Sequence, residues 1–157
     1  EGRGLLATDL GAEGASGHLL TLPAGGSRKP ASRETVQGKE HFIQMQGNEV
    51  FKFAVRIMGE TTQTSLKKCN LTPDDIDVFV PHQANIRIIE AARKRLGLPE
   101  EKVFVNVQSY GNTSAASIPM ALDEAFQSGA IHDDDIVALV GFGAGLTWAS
   151  AILRWGR

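Results

Sequence analysis

The sequence predicts an α/β fold in which a mostly parallel sheet is covered by helices and completed by an antiparallel hairpin. Three observations carry this expectation. Helical and strand patterns alternate from residue 48 onward. The longest helical pattern, 48–68, is apolar almost all round, as a helix buried against a sheet is. The stretch 136–155 reads as strand, glycine-rich turn, strand.

In chain order, residues 3–10 and 18–22 read as strands around the turn-rich Gly-Ala-Glu-Gly-Ala-Ser-Gly at 11–17. Residues 23–41 hold Pro23, Gly25, Gly26 and Pro30 without periodicity and are expected to form a surface loop excursion. In the 48–68 helix Val50, Phe51, Phe53, Ala54, Val55, Ile57 and Met58 are apolar, and Lys52, Arg56, Gln63 and Lys67 form a narrow polar stripe. Thr72-Pro73-Asp74-Asp75 pairs an N-cap threonine with proline at the first helical position and starts a short turn. Residues 76–80 read as a strand ended by Pro81. Residues 85–96 read as a helix with Ile88, Ile89, Ala92 and Leu96 on its core stripe and Gly97 just past its end. A short strand is expected at 102–107 and a helix at 114–128, with small residues Ala115, Ala116 and Ser117 at its start and Gly129 closing it. Strands at 136–141 and 146–155 close the pattern.

Composition bounds the function. With 157 residues, 42% of them hydrophobic, the chain holds one domain's worth of core. A net charge of −2 gives no global attraction to nucleic acid or to a membrane surface. No apolar run approaches the roughly 20 residues that span a bilayer. The single cysteine, Cys69, excludes an internal disulfide and a thiolate metal cluster. No His/Asp/Glu spacing makes a metal site. The chain begins at Glu1 without methionine and runs at once into Gly4-Leu5-Leu6-Ala7, as expected of one part of a longer or divided protein.

The residues suited to chemistry sit at strand-to-helix junctions. His82 lies in Pro-His-Gln-Ala-Asn, after a strand and before a helix, at the end of a sheet where ligands bind. The helix N-terminus nearby favours its neutral form. Asn112, after Gly111, occupies a second such junction. Taken singly, each is an ordinary turn residue or cap. Taken together, they are two neutral donors on one sheet edge, the requirement for stabilising a developing oxyanion. Gly-Phe-Gly-Ala-Gly at 141–145 is a tight turn with no helix after it, so it is no dinucleotide fingerprint, although its backbone N–H groups could also serve an oxyanion. Cys69 closes a helix, the opposite of the N-terminal setting that activates a thiol. Arg87, Lys94 and Arg95 on one helix, with Lys52 and Arg56 on another, would form a basic patch if the two helices lie side by side, able to dock an acidic partner.

Four segments carry a family resemblance: Met-Gln-Gly-Asn-Glu-Val-Phe-Lys at 45–52, Asp-x-Phe-Val-Pro-His-Gln-Ala-Asn-x-Arg-Ile-Ile at 77–89, Gly-Asn-Thr-Ser-Ala-Ala-Ser-Ile-Pro at 111–119 and Gly-Phe-Gly-Ala-Gly-Leu-Thr-Trp-Ala-Ser at 141–150. With the opening strand they cover essentially the whole chain. The sequence resembles the C-terminal half of β-ketoacyl-acyl carrier protein synthase III, a condensing enzyme of the thiolase fold. The resemblance implies a single thiolase-like half-domain over residues 1–157, with a five-stranded mixed sheet covered by helices.

It also implies a function: decarboxylative Claisen condensation of an acyl-CoA primer with malonyl-acyl carrier protein, at the start of fatty-acid or related chain synthesis. His82 and Asn112 match two members of a Cys-His-Asn triad, and both would donate to the thioester carbonyl as it becomes an enolate. The nucleophilic cysteine belongs to the N-terminal half and has no counterpart here. The backbone N–H of Ala144 matches the oxyanion hole. Asn48, Ala84 and Asn85 match the coenzyme A pantetheine channel, and Phe51 the acyl-pocket wall. Lys52, Arg87, Lys94 and Arg95 match the carrier-protein docking surface. The implied partners are the N-terminal half, acyl carrier protein and acyl-CoA, in a homodimer of complete protomers, with no resident cofactor or metal, in the cytoplasm or a plastid stroma. Two other readings compete: a related acyltransferase on the same fold, and a non-catalytic half-domain that binds carrier protein.

Overall fold

A computed structural model describes residues 2–156 of the chain; Glu1, on which the expectation about the chain's start rests, lies outside them, as does Arg157. In chain order the elements are β1 (Gly4–Ala12), β2 (Leu20–Thr21), α1 (Arg33–Gln37), β3 (Gln44–Met45), α2 (Gly47–Lys68), β4 (Val78–Pro81), α3 (Ile86–Leu96), α4 (Val107–Tyr110), α5 (Ser117–Gln127), β5 (Ile136–Gly143) and β6 (Thr147–Arg154). Short 3-10 segments cover Gly14–Leu19, Pro73–Asp75, Glu100–Lys102 and Ser114–Ala116.

The main sheet has the order β1-β6-β5-β4, and β2 pairs with β3 in a separate ribbon. β4 and β5 run parallel, with Pro81 opposite Val140. The hairpin strand β6 runs antiparallel to β5 and, on its other side, to β1, where Gly4 pairs with Arg154. The α/β class and the closing hairpin therefore hold, but the sheet is not mostly parallel, because β6 lies between β1 and β5 and is antiparallel to both. As a result, among the described residues only the β4–β5 pairing and one isolated bridge are parallel.

The other departures have local causes. The strand expected at 102–107 shrinks to one parallel bridge, Val103 to Phe79, so the main sheet has four strands and the trace of a fifth. Beyond that bridge the Asn106 and Val107 N–H groups donate to the Gln83 side chain, not to a neighbouring strand. The strand expected at 18–22 is cut to Leu20–Thr21 because the preceding turn winds through Leu19. Within the 23–41 excursion, Ser32 and Thr35 form a reciprocal cap that starts the one-turn α1.

The β4–β5 half of the sheet is buried on both faces by alternating side chains. Phe79 of β4 and Ile136, Ala138 and Val140 of β5 point to one side, where α2 and α3 pack with Ala54, Met58, Leu66, Ile88, Ala92 and Leu96. Val78, Val80 and Val137 point to the other side and meet Ala121 and Ala125 of α5. Each large apolar side chain fully buried in this way contributes about 1.5–3 kcal/mol. α2 also buries hydroxyls: Thr61 and Ser65 both bond to Ser150 of β6, at 3.0 and 2.6 Å, and Thr61 donates to Asp9 of β1. No helix among the described residues is long and apolar enough to cross a membrane.

α3 and α5 set the frame for the site. Asn85 caps α3 by accepting the Ile88 N–H at 3.1 Å, and Gly97 ends it in the left-handed region at φ 73°. α5 starts at Ser117, with Pro119 in its first turn, where the missing N–H is not needed. Both helices begin at the sheet end where β4 and β5 finish.

Candidate active site

His82 follows directly on β4. Its backbone N–H donates to Val140 O at 2.7 Å, extending the β4–β5 ladder by one step and fixing the residue at the C-terminal end of the parallel pair. The imidazole is partly buried. Its Nδ1 lies 2.5 Å from the hydroxyl of Ser117, and the ring stands edge-on to Phe142 at 5.6 Å between centroids. Burial holds its pKa below the ordinary histidine value. The sequence reading expected a neutral ring from the helix N-terminus; the cause here is desolvation. Gly141 lies beside it: a Cβ there would stand 3.8 Å from the His82 Cβ and 3.3 Å from Ile118 Cδ1, tighter than most such contacts.

Asn112 reaches the same end of the sheet by a different route. The turn before it is the helical α4, not a strand, and Gly111 adopts φ 68°, which favours glycine. The Asn112 Oδ1 accepts the Ser114 N–H at 2.9 Å, an Asx turn. With the carbonyl committed, the exposed amide Nδ2 is left as the free end, and it donates to no described residue. The chain then passes through the 3-10 turn at Ser114–Ala116 into Ser117, the partner of His82.

Two clamps fix this segment. The side chain of Gln83, 1% exposed, donates to Pro81 O at 2.8 Å and Phe104 O at 3.3 Å and accepts from the N–H groups of Asn106 and Val107 at 3.0 and 3.1 Å. Every bonding position of the amide group is filled. On the outside, the Glu124 carboxylate of α5 receives Asn106 Nδ2 at 2.8 Å and the Tyr110 hydroxyl. These bonds hold the Glu124 carboxyl below its ordinary value and raise the Tyr110 phenol.

Ala144 sits in the tip joining β5 to β6, two residues beyond the Phe142 ring that touches His82. Its carbonyl accepts from Thr147 Oγ1 at 3.1 Å, and its exposed N–H has no acceptor among the described residues. The tip is tied down by reciprocal backbone bonds between Glu13 and Leu146.

The remaining site residues line up along α2 and α3, which do pack side by side. Asn48 lies exposed in the first turn of α2. Phe51, one turn further, carries the Arg87 guanidinium over its ring at 5.4 Å, joining the starts of the two helices. Ala84 packs against the core and Asn85 is the α3 cap.

The basic patch is less positive than its count of lysines and arginines implies. Lys52 pairs with Glu49 at 2.9 Å, and Arg95 with Glu60 at 3.1 Å, a residue that Arg56 also reaches. Lys94 is exposed and lies in the field of Glu90. Arg93, beside the patch in sequence, turns back onto Glu90 and the Leu98 carbonyl and serves as a helix-end contact. Cys69 ends α2 with its thiol directed at the Ser65 and Leu66 carbonyls, as its place at a helix C-terminus implied. Among the described residues no His, Cys, Asp and Glu side chains group as metal ligands.

His82, the Asn112 loop and the Ala144 tip thus share one end of the sheet, beside the starts of α2, α3 and α5. Sequence reasoning missed Ser117, Gln83 and Phe142. Ser117 was visible only as one of several small residues, and nothing local distinguishes a packing serine from one that bonds a histidine.

The chain is similar to known proteins over nearly its whole length. Residues 66–155 match the family model described as 3-oxoacyl-[acyl-carrier-protein (ACP)] synthase III C terminal. The chain is 62% identical over 155 residues to the β-ketoacyl-[acyl-carrier-protein] synthase III of Natranaerobius thermophilus, covering 99% of this chain and 47% of that protein. The crystal structure of the synthase III from Thermus thermophilus superposes with a TM-score of 0.86 at 51% identity, over 99% of this chain and 47% of that one. The Aquifex aeolicus 3-oxoacyl-[acyl-carrier-protein] synthase III gives 0.85 at 41% identity, over 99% and 46%. The chain spans about half the length of the curated relatives it matches, and the chain belongs to the 3-oxoacyl-[acyl-carrier-protein] synthase III C-terminal family.

Proposed function

We propose that this chain is the C-terminal part of a condensing enzyme that begins fatty-acid or related chain synthesis, joining an acyl-CoA primer to malonyl-acyl carrier protein with loss of carbon dioxide. The observation that carries the proposal is the state of the two donors. Burial lowers the His82 pKa, which favours the neutral ring that can donate without protonating the substrate. Asn112 has its carbonyl tied into its own loop, so the amide end that remains is the donor. Breakage of the malonyl carbon–carboxylate bond leaves its electron pair on the thioester as an enolate. Preorganised donors aimed at that oxygen stabilise the charge as it forms.

The Ala144 N–H would serve the other thioester, the acyl group carried on the nucleophilic cysteine of the N-terminal half. Asn48, Ala84 and Asn85 would line the passage for the pantetheine arm, with Phe51 on the acyl wall. The surface of Lys52, Arg87, Lys94 and Arg95 would receive the acidic carrier protein. Complementary charge across that surface would raise the encounter rate more than the affinity, while its internal pairs with Glu49 and Glu60 weaken the field that steers the partner. The working unit would be a cytoplasmic homodimer of complete protomers.

The test is carbon dioxide release from malonyl-acyl carrier protein with the N-terminal half supplied. His82→Ala is expected to lower the rate about 10²- to 10³-fold, the range for loss of one oxyanion donor. Release unaffected by His82→Ala would defeat the proposal and leave the acyltransferase reading or the carrier-binding reading.

A further inference from the structure

We infer that Ser117 is a positioning residue for His82: its hydroxyl donates to Nδ1 and thereby holds the ring as the tautomer whose Nε2 carries the proton. The inference rests on the proposed role of His82 as an enolate donor and identifies what directs that donor.

The assignment follows from counting donors and acceptors around one oxygen. Ser117 Oγ is buried, with the residue 2% exposed, and two groups lie within its reach: His82 Nδ1 at 2.5 Å and the Gln83 backbone N–H at 3.3 Å. The Gln83 group can only donate. It therefore uses a lone pair of the hydroxyl oxygen, and the hydroxyl proton is left with one acceptor, Nδ1. If Nδ1 carried the ring proton, two donors would converge on Oγ and the serine proton would be buried without a partner, an arrangement that native interiors avoid. The same conflict arises when the ring is doubly protonated, so the serine opposes the imidazolium as well as the wrong tautomer.

The surroundings leave the ring little freedom to escape the conflict. The His82 N–H is fixed to Val140 O at 2.7 Å, and Phe142 of β5 stands edge-on to the ring. Burial acts on the ring's protonation, and among the described residues no charged side chain forms a hydrogen bond or ion pair with the ring, whose contacts are Ser117 and Phe142. Because Ser117 is also the first residue of α5, five residues past Asn112, one side chain registers both donors.

The experiment uses the chain together with its N-terminal complement, labelled with ¹⁵N-histidine. Ring-nitrogen NMR through a pH titration is compared for wild type, Ser117→Ala and Ser117→Thr. Wild type is expected to show His82 as the Nε2–H form, staying neutral below the ordinary value of 6.5. Ser117→Ala should mix the tautomers and move the midpoint up, and Ser117→Thr, which keeps a hydroxyl, should restore both. Decarboxylation should fall roughly fivefold to tenfold in Ser117→Ala, the scale of one hydrogen bond, and recover in Ser117→Thr. A wild-type ring protonated at Nδ1 overturns the inference. So does a Ser117→Ala protein whose His82 signals and midpoint match wild type. If Ser117→Ala fails to fold, loss of the wild-type tautomer in folded Ser117→Thr overturns it equally. A wild-type protein with the expected tautomer but no decarboxylation counts against the proposed function and leaves this inference standing.

Discussion

His82 and Asn112 present donors at the same end of the sheet, but the fold holds them by opposite means. His82 rides the end of a buried parallel strand, and its ring is fixed by packing: Phe142 on one side, Ser117 on another, desolvation around it. Asn112 sits exposed on a loop with no strand beneath it, fixed by local bonds: its own Asx turn, the Gln83 amide behind and the Glu124 carboxylate outside. Packing fixes a group by excluding alternatives, whereas a hydrogen-bonded loop fixes it by many replaceable contacts. The two donors should therefore fail in different ways.

The largest effect should come from separating Asn112's two jobs. Asn112→Asp keeps an oxygen for the Ser114 N–H but removes the amide donor. Decarboxylation should drop about 10²- to 10³-fold while thermal stability stays near wild type. A stability loss as large as that of Asn112→Ala would mean that the Asx turn is not held by this oxygen. Next comes the clamp between the two donors. Gln83→Leu strands the N–H groups of Asn106 and Val107 and the carbonyls it served, so a loss of ~2–4 kcal/mol is expected in urea unfolding. A loss below ~1 kcal/mol would show that water replaces the amide and that the loop does not depend on it.

The smallest effect should be at Glu124. Its folded pKa is depressed by Tyr110 and Asn106, so its contribution to stability is complete above the unfolded value near 4.5 and disappears as pH falls through the lower folded value. Glu124→Gln should flatten the acid side of the stability curve slightly and speed amide exchange at 107–112, with His82 unaffected. Faster exchange around His82 as well would show that the two supports are one.

The same contrast explains what the sequence disclosed. Helices α2, α3 and α5 and the β5–β6 hairpin were legible because periodicity, caps and Gly97 are local signals. His82 was legible as a junction residue for the same reason. Residues 102–107 misled because Val103, Phe104 and Val105 have strand character, while what stops the strand is a glutamine side chain twenty residues earlier. The cap at Ser32 pairs with Thr35, not with the acid or amide usual at that spacing, and the segment around it lacks periodicity. The ion pairs that temper the basic patch were half legible: Lys52 with Glu49 and Arg56 with Glu60 follow helical spacing, but Arg95 with Glu60 needs two helices in contact. Ser117's bond to His82 joins residues far apart in sequence, and composition carries no trace of it.

The position of β6 between β1 and β5 has a consequence for how the chain acquires its structure. β1 precedes β6 in the chain and has no partner in the main sheet until β6 arrives, since Gly4 pairs with Arg154 and Ala12 with Thr147. Such distant pairing gives a high contact order, and loop-closure entropy must be met before those contacts form. Until then β1 exposes an unpaired edge carrying Leu5 and Leu10, which remain more than half exposed even afterwards. An unpaired apolar edge is a template for association with other chains. A nascent chain stalled before residue 147 would therefore be a candidate for chaperone capture, and the protein would be most vulnerable to aggregation during its own translation.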